Sequence, residues 1–590
     1  MQERPTGTAR SWFNLGVWAG AGGALLTLAC LAAEYGFPED RSYRTAWHAG
    51  QVVAFLLVWV GKLYAWLAPS RRLHWPRLAL DVSLLTLLLI ALAAGPGLLA
   101  RYSPTAVRWS AFHAYLLITV LVYVGRFSVA AAAAGRSPAR TLILSFAAAI
   151  FIGGIMLLVP AAHQTAPLAF TDAIFTATSA TCVTGLTAVN TADAYTRFGQ
   201  AVILALIQAG GLGIMIFGTV FALLLGSRLS LRESTALQDI LQETSPARIG
   251  RLAVFVCLVA AAIEAAGAVA LSGLWEAVGP GGDRWFRSLF HAVSAFCNAG
   301  LSVEKENLAA YRLRPEVYLV IGPLIVLGGL GFPVLENLWR SAAYRGRRWG
   351  ARRRGSVRES LRPERWTLHT KLVLGTTAVL LAGGAAVLAL LEWARPFPTT
   401  PWTPVRLLDA VFLSITSRTA GFSTLDVGSL SAASKLVLIL LMFIGGSPSS
   451  TAGGVKTVTV AILFLTIYAT MRRQQEVHVA RRHIAAITIR RAATLIFLYG
   501  GLQWLLTLLL TITEHSRGQN FLDLLFEVTS ALGTVGLSTG VTAGLTLPGK
   551  WVIIVAMFVG RVGPLSLLAA LAVGARPRRF EYPEEPLLVG

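Results

Sequence analysis

The stretch FTATSATCVTG, residues 175–185, occurs in four variants along the chain. The others are FHAVSAFCNAG at 290–300, FLSITSRTAG at 412–421 and FEVTSALGTVG at 526–536. In every copy a Ser or Thr follows the phenylalanine by four positions, and a glycine ends the stretch. We call these stretches the glycine phrases. Their final glycines are 115, 121 and 115 residues apart, which indicates an internal repeat that must be interpreted before any other feature.

The composition is that of a membrane protein. Of 590 residues, 55% are hydrophobic and 14% are charged, and the mean hydropathy is +0.63. Soluble domains carry about 25% charged residues, so this chain is expected to lie in a bilayer. The formal net charge is +22, but the arginines cluster between apolar stretches. Membrane orientation therefore explains the positive charge better than nucleic-acid binding does.

Hydropathy divides the chain into an N-terminal group of apolar spans and four repeats. The N-terminal spans lie near residues 12–34, 48–68, 79–100 and 106–126. Each repeat has a leading span, a short apolar stretch that contains a glycine phrase, and a trailing span. The predicted fold is an all-α polytopic membrane protein, with four helix–pore-loop–helix repeats around one pseudo-fourfold pore. The predicted domains are 1–135 for the extra N-terminal helices, 136–235, 236–345, 346–470 and 471–575 for the repeats, and 576–590 for a tail.

Arginine-rich linkers predict the orientation. Residues 340–365 contain ten arginines and residues 472–491 contain six, and both segments connect one repeat to the next. The positive-inside rule places such linkers in the cytoplasm, with both termini also inside and the glycine phrases toward the outer side. We therefore expect a multi-pass protein of the cytoplasmic membrane. Docking of an acidic partner or of anionic lipid headgroups is an alternative role for the linkers.

The short stretch before each phrase glycine is too short to cross a membrane. Residues 171–181 and 522–532 form only about three helical turns, whereas a span needs about 20 residues. A half-crossing helix that turns back at a glycine is a re-entrant loop, which is tolerated only inside protein or beside a watery cavity. Asp172, Asp409 and Asp523 suit the positive N-terminal ends of such helices, and the second copy has Arg287 instead. Four such loops on one axis would offer rings of carbonyl oxygens to a dehydrated cation.

These motifs resemble those of the TrkH/KtrB/HKT superfamily of potassium transporters. The likeness covers about residues 140–575, and it includes the glycine phrases, QAGGLGIMIFG at 208–218, GGSPSSTAGGVKT at 445–457 and MFVGRVGPLS at 557–566. The resemblance implies potassium-ion uptake through a single-chain, four-repeat pore, usually in a homodimer. It also implies a cytoplasmic nucleotide-binding regulatory ring, TrkA- or KtrA-like, as the partner. We expect no enzymatic activity, no covalently bound cofactor and no nucleic-acid partner, with K+ as the transported ion.

In this family the filter oxygens come mainly from the two residues before each glycine. Sodium-preferring plant relatives have serine at the first filter glycine, whereas all four positions are glycine here, so the resemblance favours potassium. A sodium-conducting or weakly selective channel of the same fold remains an alternative, as does the ion-conducting subunit of an ATP-driven pump. The predicted filter comprises Val183, Thr184, Gly185, Asn298, Ala299, Gly300, Thr419, Ala420, Gly421, Thr534, Val535 and Gly536.

The third trailing span is interrupted by GGSPSSTAGG, residues 445–454, which we call the break loop. Four glycines and a proline disfavour helix, so the loop is expected below the filter. The resemblance implies that it is an intramembrane gate, and a kink with only a packing role is the alternative. Arg561 lies in the middle of the last span, where a charge costs about 2.5–3.5 kcal/mol and requires a partner, for which the break loop is the obvious candidate. The predicted gate comprises Gly445, Gly446, Ser447, Ser449, Ser450, Thr451, Gly453, Gly454 and Arg561.

Arg561 has two compatible interpretations, a positive barrier under the filter and a structural pin for the broken helix. Glu264, Glu392 and Glu514 lie in or near the ends of leading spans. We expect them to be hydrogen-bonded braces, with cation attraction as the alternative. Lys456, just after the break loop, is expected to extend its ammonium group toward the membrane surface.

Overall fold

The computed structural model describes residues 44–67, 138–164, 168–213, 246–275, 281–353, 366–393, 404–474, 476–480 and 482–564, with scattered positions between 19 and 119 and at 567–568. Helix α1, Arg44–Leu67, belongs to the N-terminal group. The three other predicted N-terminal spans lie partly or largely outside the described residues, and the predicted tail at 576–590 lies wholly outside them. The domain boundaries remain predictions.

Four similar units follow along the chain. Unit 1 contains α2 (Pro138–Leu158), α3 (Phe170–Thr181) and α4 (Arg197–Leu212). Unit 2 contains α5 (Pro246–Leu271), α6 (Gly281–Phe296), a π-helical turn (Val317–Ile321), α7 (Gly322–Leu330) and α8 (Phe332–Arg353). Unit 3 contains α9 (Leu368–Trp393), α10 (Pro404–Thr416), α11 (Ala432–Phe443) and α12 (Thr457–Met471). Unit 4 contains α13 (Ala486–Thr513), α14 (Phe521–Gly533) and α15 (Leu547–Val562).

The linker between units 3 and 4 contains a small exception to the all-α architecture. Strands β1 (His478–Val479) and β2 (Arg482–His483) pair antiparallel, with His478 opposite His483. Strands of two residues are too short to build a sheet on their own, so the hairpin is a local feature of the basic linker.

Four described helices are long and apolar enough to cross a membrane. They contain the segments Thr45–Leu63, Leu252–Leu271, Leu368–Glu392 and Ala486–Thr513. A fifth candidate is the pair formed by Val317–Leu330 and Phe332–Trp349, which is bent by 103°. Leading helices therefore supply most of the spans, while α4, α11, α12 and α15 have only 12 to 16 residues.

The shortness of the trailing helices corrects the sequence-based expectation, which predicted a break only in the third repeat. Each trailing helix ends at a glycine-rich sequence, namely GGLG at 210–213, GGLG at 328–331, GGSP at 445–448 and GRVG at 560–563. Gly213, Gly331 and Gly563 have φ values of 86°, 88° and 86°. A left-handed φ ends a right-handed helix, and glycine adopts it at little cost. Because glycine adds no polarity to an apolar run, hydropathy did not indicate these breaks.

The C-terminal parts of the short helices α3, α6, α10 and α14 are buried. The phenylalanine that opens each phrase is at most 1% exposed, which explains why it recurs; these residues are Phe175, Phe290, Phe412 and Phe526. A large buried ring contributes many dispersion contacts, and it fixes the short helix against its neighbours.

Four ion pairs join successive units through aspartates in the N-terminal halves of the short helices. The pairs are Arg197–Asp283 (2.5 Å), Arg312–Asp409 (2.6 Å), Lys435–Asp523 (2.8 Å) and Lys550–Asp172 (2.6 Å). In each pair the cation lies at or just before the start of one unit's trailing segment and the aspartate lies in the short helix of the next, and the last pair connects unit 4 back to unit 1. Arg287, which replaces the aspartate in the second phrase, pairs with Glu304 of its own unit. The units are thereby arranged in a closed ring.

Candidate functional site

The four phrase glycines lie around one axis and form what we call the glycine ring. Each glycine faces the carbonyl oxygen that precedes the glycine of the next unit, and a Cβ in its place would lie 2.5 Å or less from that oxygen. The pairs are Gly185 with Ala299, Gly300 with Ala420, Gly421 with Val535 and Gly536 with Thr184. No real Cβ approaches an oxygen so closely, so only glycine fits at these four positions. The structure therefore brings the four loops together in cyclic order.

The four loops share one backbone conformation. The residue two positions before each phrase glycine has a left-handed φ between 51° and 75°; these residues are Val183, Asn298, Thr419 and Thr534. The phrase glycines themselves have φ values between 64° and 98°. Left-handed conformations are unfavourable for β-branched residues such as Val183. Such strain persists only where the surroundings hold the backbone, and it is frequent at functional sites.

The recurrent Ser or Thr of the phrases holds the turn at the glycine. Ser179 and Ser530 accept hydrogen bonds from the N–H groups of Gly185 and Gly536, both at 3.0 Å. In units 2 and 3 the hydroxyl donates to the carbonyl after the glycine, as Ser294 to Leu301 (2.8 Å) and Thr416 to Phe422 (2.6 Å). The sequence showed that this hydroxyl recurs, and the structure supplies the reason.

A second set of contacts anchors the chain after each glycine to its short helix. Sequence reasoning missed this set because the residue types differ from unit to unit. Each anchor is a hydrogen bond. The Tyr195 hydroxyl donates to Thr176 (2.9 Å), His291 bonds to Ser302 (2.9 Å), and the Thr424 hydroxyl donates to Asp409 (3.1 Å). In unit 4, the Ser538 hydroxyl and the N–H of Thr539 donate to Glu527 (2.6 and 2.8 Å). Each loop is thus fixed on both sides of its glycine.

Three hydroxyl groups of the predicted filter are buried without a hydrogen-bond partner among the described residues. They belong to Thr184, Thr419 and Thr534, each one or two positions before a phrase glycine. Buried polar atoms in native proteins are nearly always paired, so an unpaired set calls for an explanation. Unpaired oxygen atoms in loops that meet around an axis are suitable ligands for a cation without its water shell.

The break loop is closed at its base and packs against unit 2. The N–H of Gly445 donates to Val455 (3.0 Å), so the two ends of the loop are joined. The Ser447 hydroxyl donates to the carbonyl of Gly329 (2.8 Å), beside the bend between α7 and α8. The carbonyl of Ser449 accepts from the N–H of Phe332 at 3.1 Å.

The same loop lies directly against the predicted filter. A Cβ added to Gly453 would overlap the hydroxyl of Thr534. The Thr451 hydroxyl lies 3.2 Å from the side-chain amide of Asn298. The structure therefore brings the predicted gate into contact with the predicted filter in units 2 and 4.

Arg561 stands where the GGLG sequences of units 1 and 2 have their second glycine, and it is directed into the protein. It donates hydrogen bonds to the carbonyl of Thr451 in the break loop and to the carbonyls of Gly210 and Gly211 at the end of α4. The predicted contact with the break loop is present. The carbonyl end of a helix carries partial negative charge, so α4 also favours the guanidinium group. One side chain thereby connects units 1, 3 and 4.

Two further cations hold the break loop. Arg418, within the third glycine phrase and only 7% exposed, donates to the carbonyl of Gly445 at 3.2 Å. Its signal in the sequence is an arginine where the first two phrases have cysteine, and sequence reasoning missed it. Lys456 donates to the carbonyl of Ala452 at 2.7 Å. The prediction that Lys456 extends toward the membrane surface is therefore wrong, because its ammonium group is bound by the carbonyls of its own loop.

The three glutamates act as braces in this geometry. Glu264 accepts from Gln208 at 3.0 Å and lies 3.7 Å from the Cys297 thiol behind the second phrase. Glu392 accepts from the N–H of Ser431 (3.2 Å), and Glu514 from the N–H of Thr546 (3.0 Å). These two carboxylates cap the trailing helices α11 and α15, where free N–H groups favour an anion.

Comparisons with known proteins give a consistent picture. Residues 111–576 match the sequence model of TrkH, a cation transport protein. The chain is 36% identical over 455 residues to the Ktr system potassium uptake protein B of Bacillus subtilis, covering 77% of this chain and 97% of that one. It is 35% identical over 459 residues to the potassium/sodium uptake protein NtpJ of Enterococcus hirae, with the same coverage.

A solved structure also matches. The crystal structure of the potassium transporter TrkH from Vibrio parahaemolyticus superposes with a TM-score of 0.59, covering 95% of this chain and 98% of that one. At 18% identity this likeness shows the fold, including the assignment to an all-α membrane protein.

Proposed function

The chain belongs to the TrkH family of cation transport proteins, and on that premise we propose that it carries potassium ions into the cell across the cytoplasmic membrane. The observation that carries the proposal is the glycine ring, in which four loops meet in cyclic order with no room for a side chain. The names of the relatives from Bacillus subtilis and Enterococcus hirae both include potassium uptake, which supports the choice of ion.

The proposed selectivity filter consists of the phrase glycines and the two residues before each of them. Carbonyl oxygens there replace the water shell of the ion, and the unpaired hydroxyls of Thr184, Thr419 and Thr534 extend the set of ligands. The hydrogen bonds of the recurrent Ser or Thr, together with the anchors after each glycine, keep the filter oxygens apart when no ion is present. K+ is the transported ion in this proposal, and no other cofactor takes part.

The proposed gate is the break loop together with Arg561. The loop lies against Asn298 and Thr534, and in the proposed orientation it lies on the cytoplasmic side of the filter. Arg561 holds it there through the carbonyl of Thr451 and adds a positive charge that repels an incoming cation. Conduction then requires that Arg561 release the loop.

The membrane potential is sufficient to drive uptake in this scheme. An inside-negative potential supplies about 2.3 kcal/mol per elementary charge for each 100 mV. That free energy corresponds to about 50-fold accumulation of a monovalent cation per 100 mV. No step of the proposed cycle therefore requires ATP hydrolysis within this chain.

We propose that the protein is multi-pass with both termini in the cytoplasm, and that it works as a homodimer with a cytoplasmic nucleotide-binding ring. The arginines at 340–365 and 472–491 support the orientation. The relatives named as components of a Ktr system support an assembly of several parts. The short hairpin of β1 and β2 lies in one of these basic linkers and is a suitable contact for such a ring.

A second candidate function is a sodium-conducting or weakly selective channel of the same fold. The specific observation in its favour is the relative from Enterococcus hirae, whose name includes sodium as well as potassium. The two functions differ in how well sodium competes with potassium.

The experiment that tests the proposal is rescue of a bacterium that lacks potassium uptake, grown on limiting potassium, with and without a regulatory ring protein. We expect growth and rubidium uptake that excess sodium does not abolish. Rubidium uptake that falls to background with equimolar sodium would favour the second candidate. Absence of any uptake by a protein that reaches the membrane, with the ring present, would contradict both, and co-purification of an ATPase would indicate a pump subunit.

A further inference from the structure

Thr451 is the residue at which the break loop contacts the second glycine phrase. Its side chain is fully buried. The hydroxyl donates to the carbonyl of Phe296 at 3.1 Å and lies 3.2 Å from the Asn298 amide, so both of its neighbours belong to the second phrase. Its own carbonyl accepts from Arg561. Thr451 therefore contacts the predicted filter with its side chain and Arg561 of the predicted gate with its backbone carbonyl.

Asn298 is a position that needs such support. Its φ is 59°, in the left-handed region, and it lies two positions before the phrase glycine Gly300. A non-glycine residue leaves this conformation readily unless its surroundings hold it. The Thr451 hydroxyl supplies part of that support from a loop that, in the proposed function, moves during each transport cycle.

We infer that Thr451 couples the two parts of the site, so that K+ in the filter and a closed break loop favour each other. This inference rests on the filter and gate proposed above. When the loop is closed, Thr451 holds the second phrase in the conformation that presents its oxygens to the ion. When the loop leaves, that contact breaks and the ion is held less tightly.

Thermodynamic linkage makes the effect reciprocal. If closure of the loop raises the affinity for K+ by a given factor, K+ raises the preference for closure by the same factor. The consequence for transport is a release step, because the movement that opens the path inward also loosens the site that holds the ion. An empty filter, in turn, leaves the loop easier to open.

The test uses Thr451→Val, which keeps the side-chain volume and removes the hydroxyl. The full-length protein is purified in detergent, and the K+ concentration that gives half of the maximal thermal stabilisation is measured at constant ionic strength. We expect this midpoint to rise about two- to tenfold, the range that corresponds to the loss of one neutral hydrogen bond. Thr451→Ser retains the hydroxyl and should remain near the wild-type midpoint.

Ser450→Ala is the matched control within the break loop. The Ser450 hydroxyl donates to Ser447 at 2.7 Å, inside the loop itself. Its removal loosens the loop without removing a contact to the second phrase, so the K+ midpoint should change less than in Thr451→Val. Equal effects of the two variants would mean that general loosening explains the result, and would overturn the coupling through Thr451.

A double-mutant cycle with Arg561→Ala gives the decisive readout. Releasing the loop already breaks the contact of Thr451 with the second phrase, so adding Thr451→Val should change the midpoint little further. Additive effects, or a wild-type midpoint for Thr451→Val alone, would overturn the inference. Should Thr451→Val fail gel filtration, Thr451→Ala also removes the hydroxyl and enters the same cycle with Arg561→Ala.

Failure of the proposed function is recognised separately. A wild-type protein that K+ and Na+ stabilise equally would contradict the potassium filter itself, whatever the variants do. A protein that prefers K+, with additive variants, would leave the filter in place and remove only the coupling.

Discussion

Replacement of Gly185 by serine is the most informative single substitution at the glycine ring. The residue has a φ of 98°, and a Cβ at this position would lie 2.5 Å from the carbonyl oxygen of Ala299. The Cα atoms of Gly536 and Gly300 would be 3.2 and 3.3 Å away. The added atom therefore meets backbone from two neighbouring units, which cannot move aside as a flexible side chain could.

The magnitude follows from that crowding. Real Cβ atoms essentially never approach another atom closer than 3.0 Å, so Gly185 and the carbonyl of Ala299 must separate by about 0.5 Å or more. Backbone held in an unfavourable φ adds roughly 1–3 kcal/mol of strain. If this free energy is relieved by displacing the loop from its ion-binding geometry, the preference for K+ over Na+ falls about 5- to 150-fold.

The assay is competition of sodium and potassium for rubidium uptake in cells that lack other potassium uptake. The matched control is Gly375→Ser, because a Cβ at Gly375 has no neighbour within 4 Å among the described residues. We expect Gly185→Ser to let sodium compete at a concentration at least about fivefold lower, and Gly375→Ser to behave as wild type. Unchanged competition in a folded Gly185→Ser protein would refute the assignment of the glycine ring as the filter.

Three further predictions concern the surroundings of the ring. Arg561→Ala should raise the rate of rubidium entry at least about tenfold, because charge-assisted hydrogen bonds to the break loop are lost. Arg561→Lys should give a rate between those of the wild type and Arg561→Ala, and an unaltered rate in a folded Arg561→Ala protein would show that Arg561 does not hold the gate closed. Ser530→Ala should lower K+ affinity about fivefold through loss of the bond to the N–H of Gly536, while Ser530→Thr retains it; equal K+ midpoints for the two variants would show that this hydroxyl does not hold the turn. Lys435→Asp or Asp523→Lys alone should lower the free energy of unfolding by about 2 kcal/mol and lower the melting temperature, whereas the double exchange should restore part of the lost stability. If the double exchange loses as much stability as the two single exchanges added together, the pair does not join the units.

The sequence predicted the units and the loops well, because the information is local and repeated. The expected short helices at 171–181 and 522–532 agree with Phe170–Thr181 and Phe521–Gly533. The convergence of the four glycines followed from the repeat and from the rule that backbone at membrane depth must be enclosed by protein.

The contacts that organise the site could not be predicted, because they join residues far apart in the chain. Lys550 pairs with Asp172 across 378 positions, and nothing local in either segment indicates the partner. The direction of Lys456 depended on whether carbonyls of its own loop were within reach, which is a property of the folded loop. The breaks at Gly213, Gly331 and Gly563 were missed for a different reason, since a glycine inside an apolar run resembles close helix packing.

The central claim is that four loops of one chain bind a dehydrated monovalent cation on a common axis. The most direct measurement is a crystal structure of the protein grown in rubidium, with anomalous differences collected at the rubidium edge. The account predicts anomalous peaks on the axis of the glycine ring, within the set of carbonyl oxygens before Gly185, Gly300, Gly421 and Gly536. Loops that pack against one another with no peak between them, or rubidium bound only elsewhere, would contradict it.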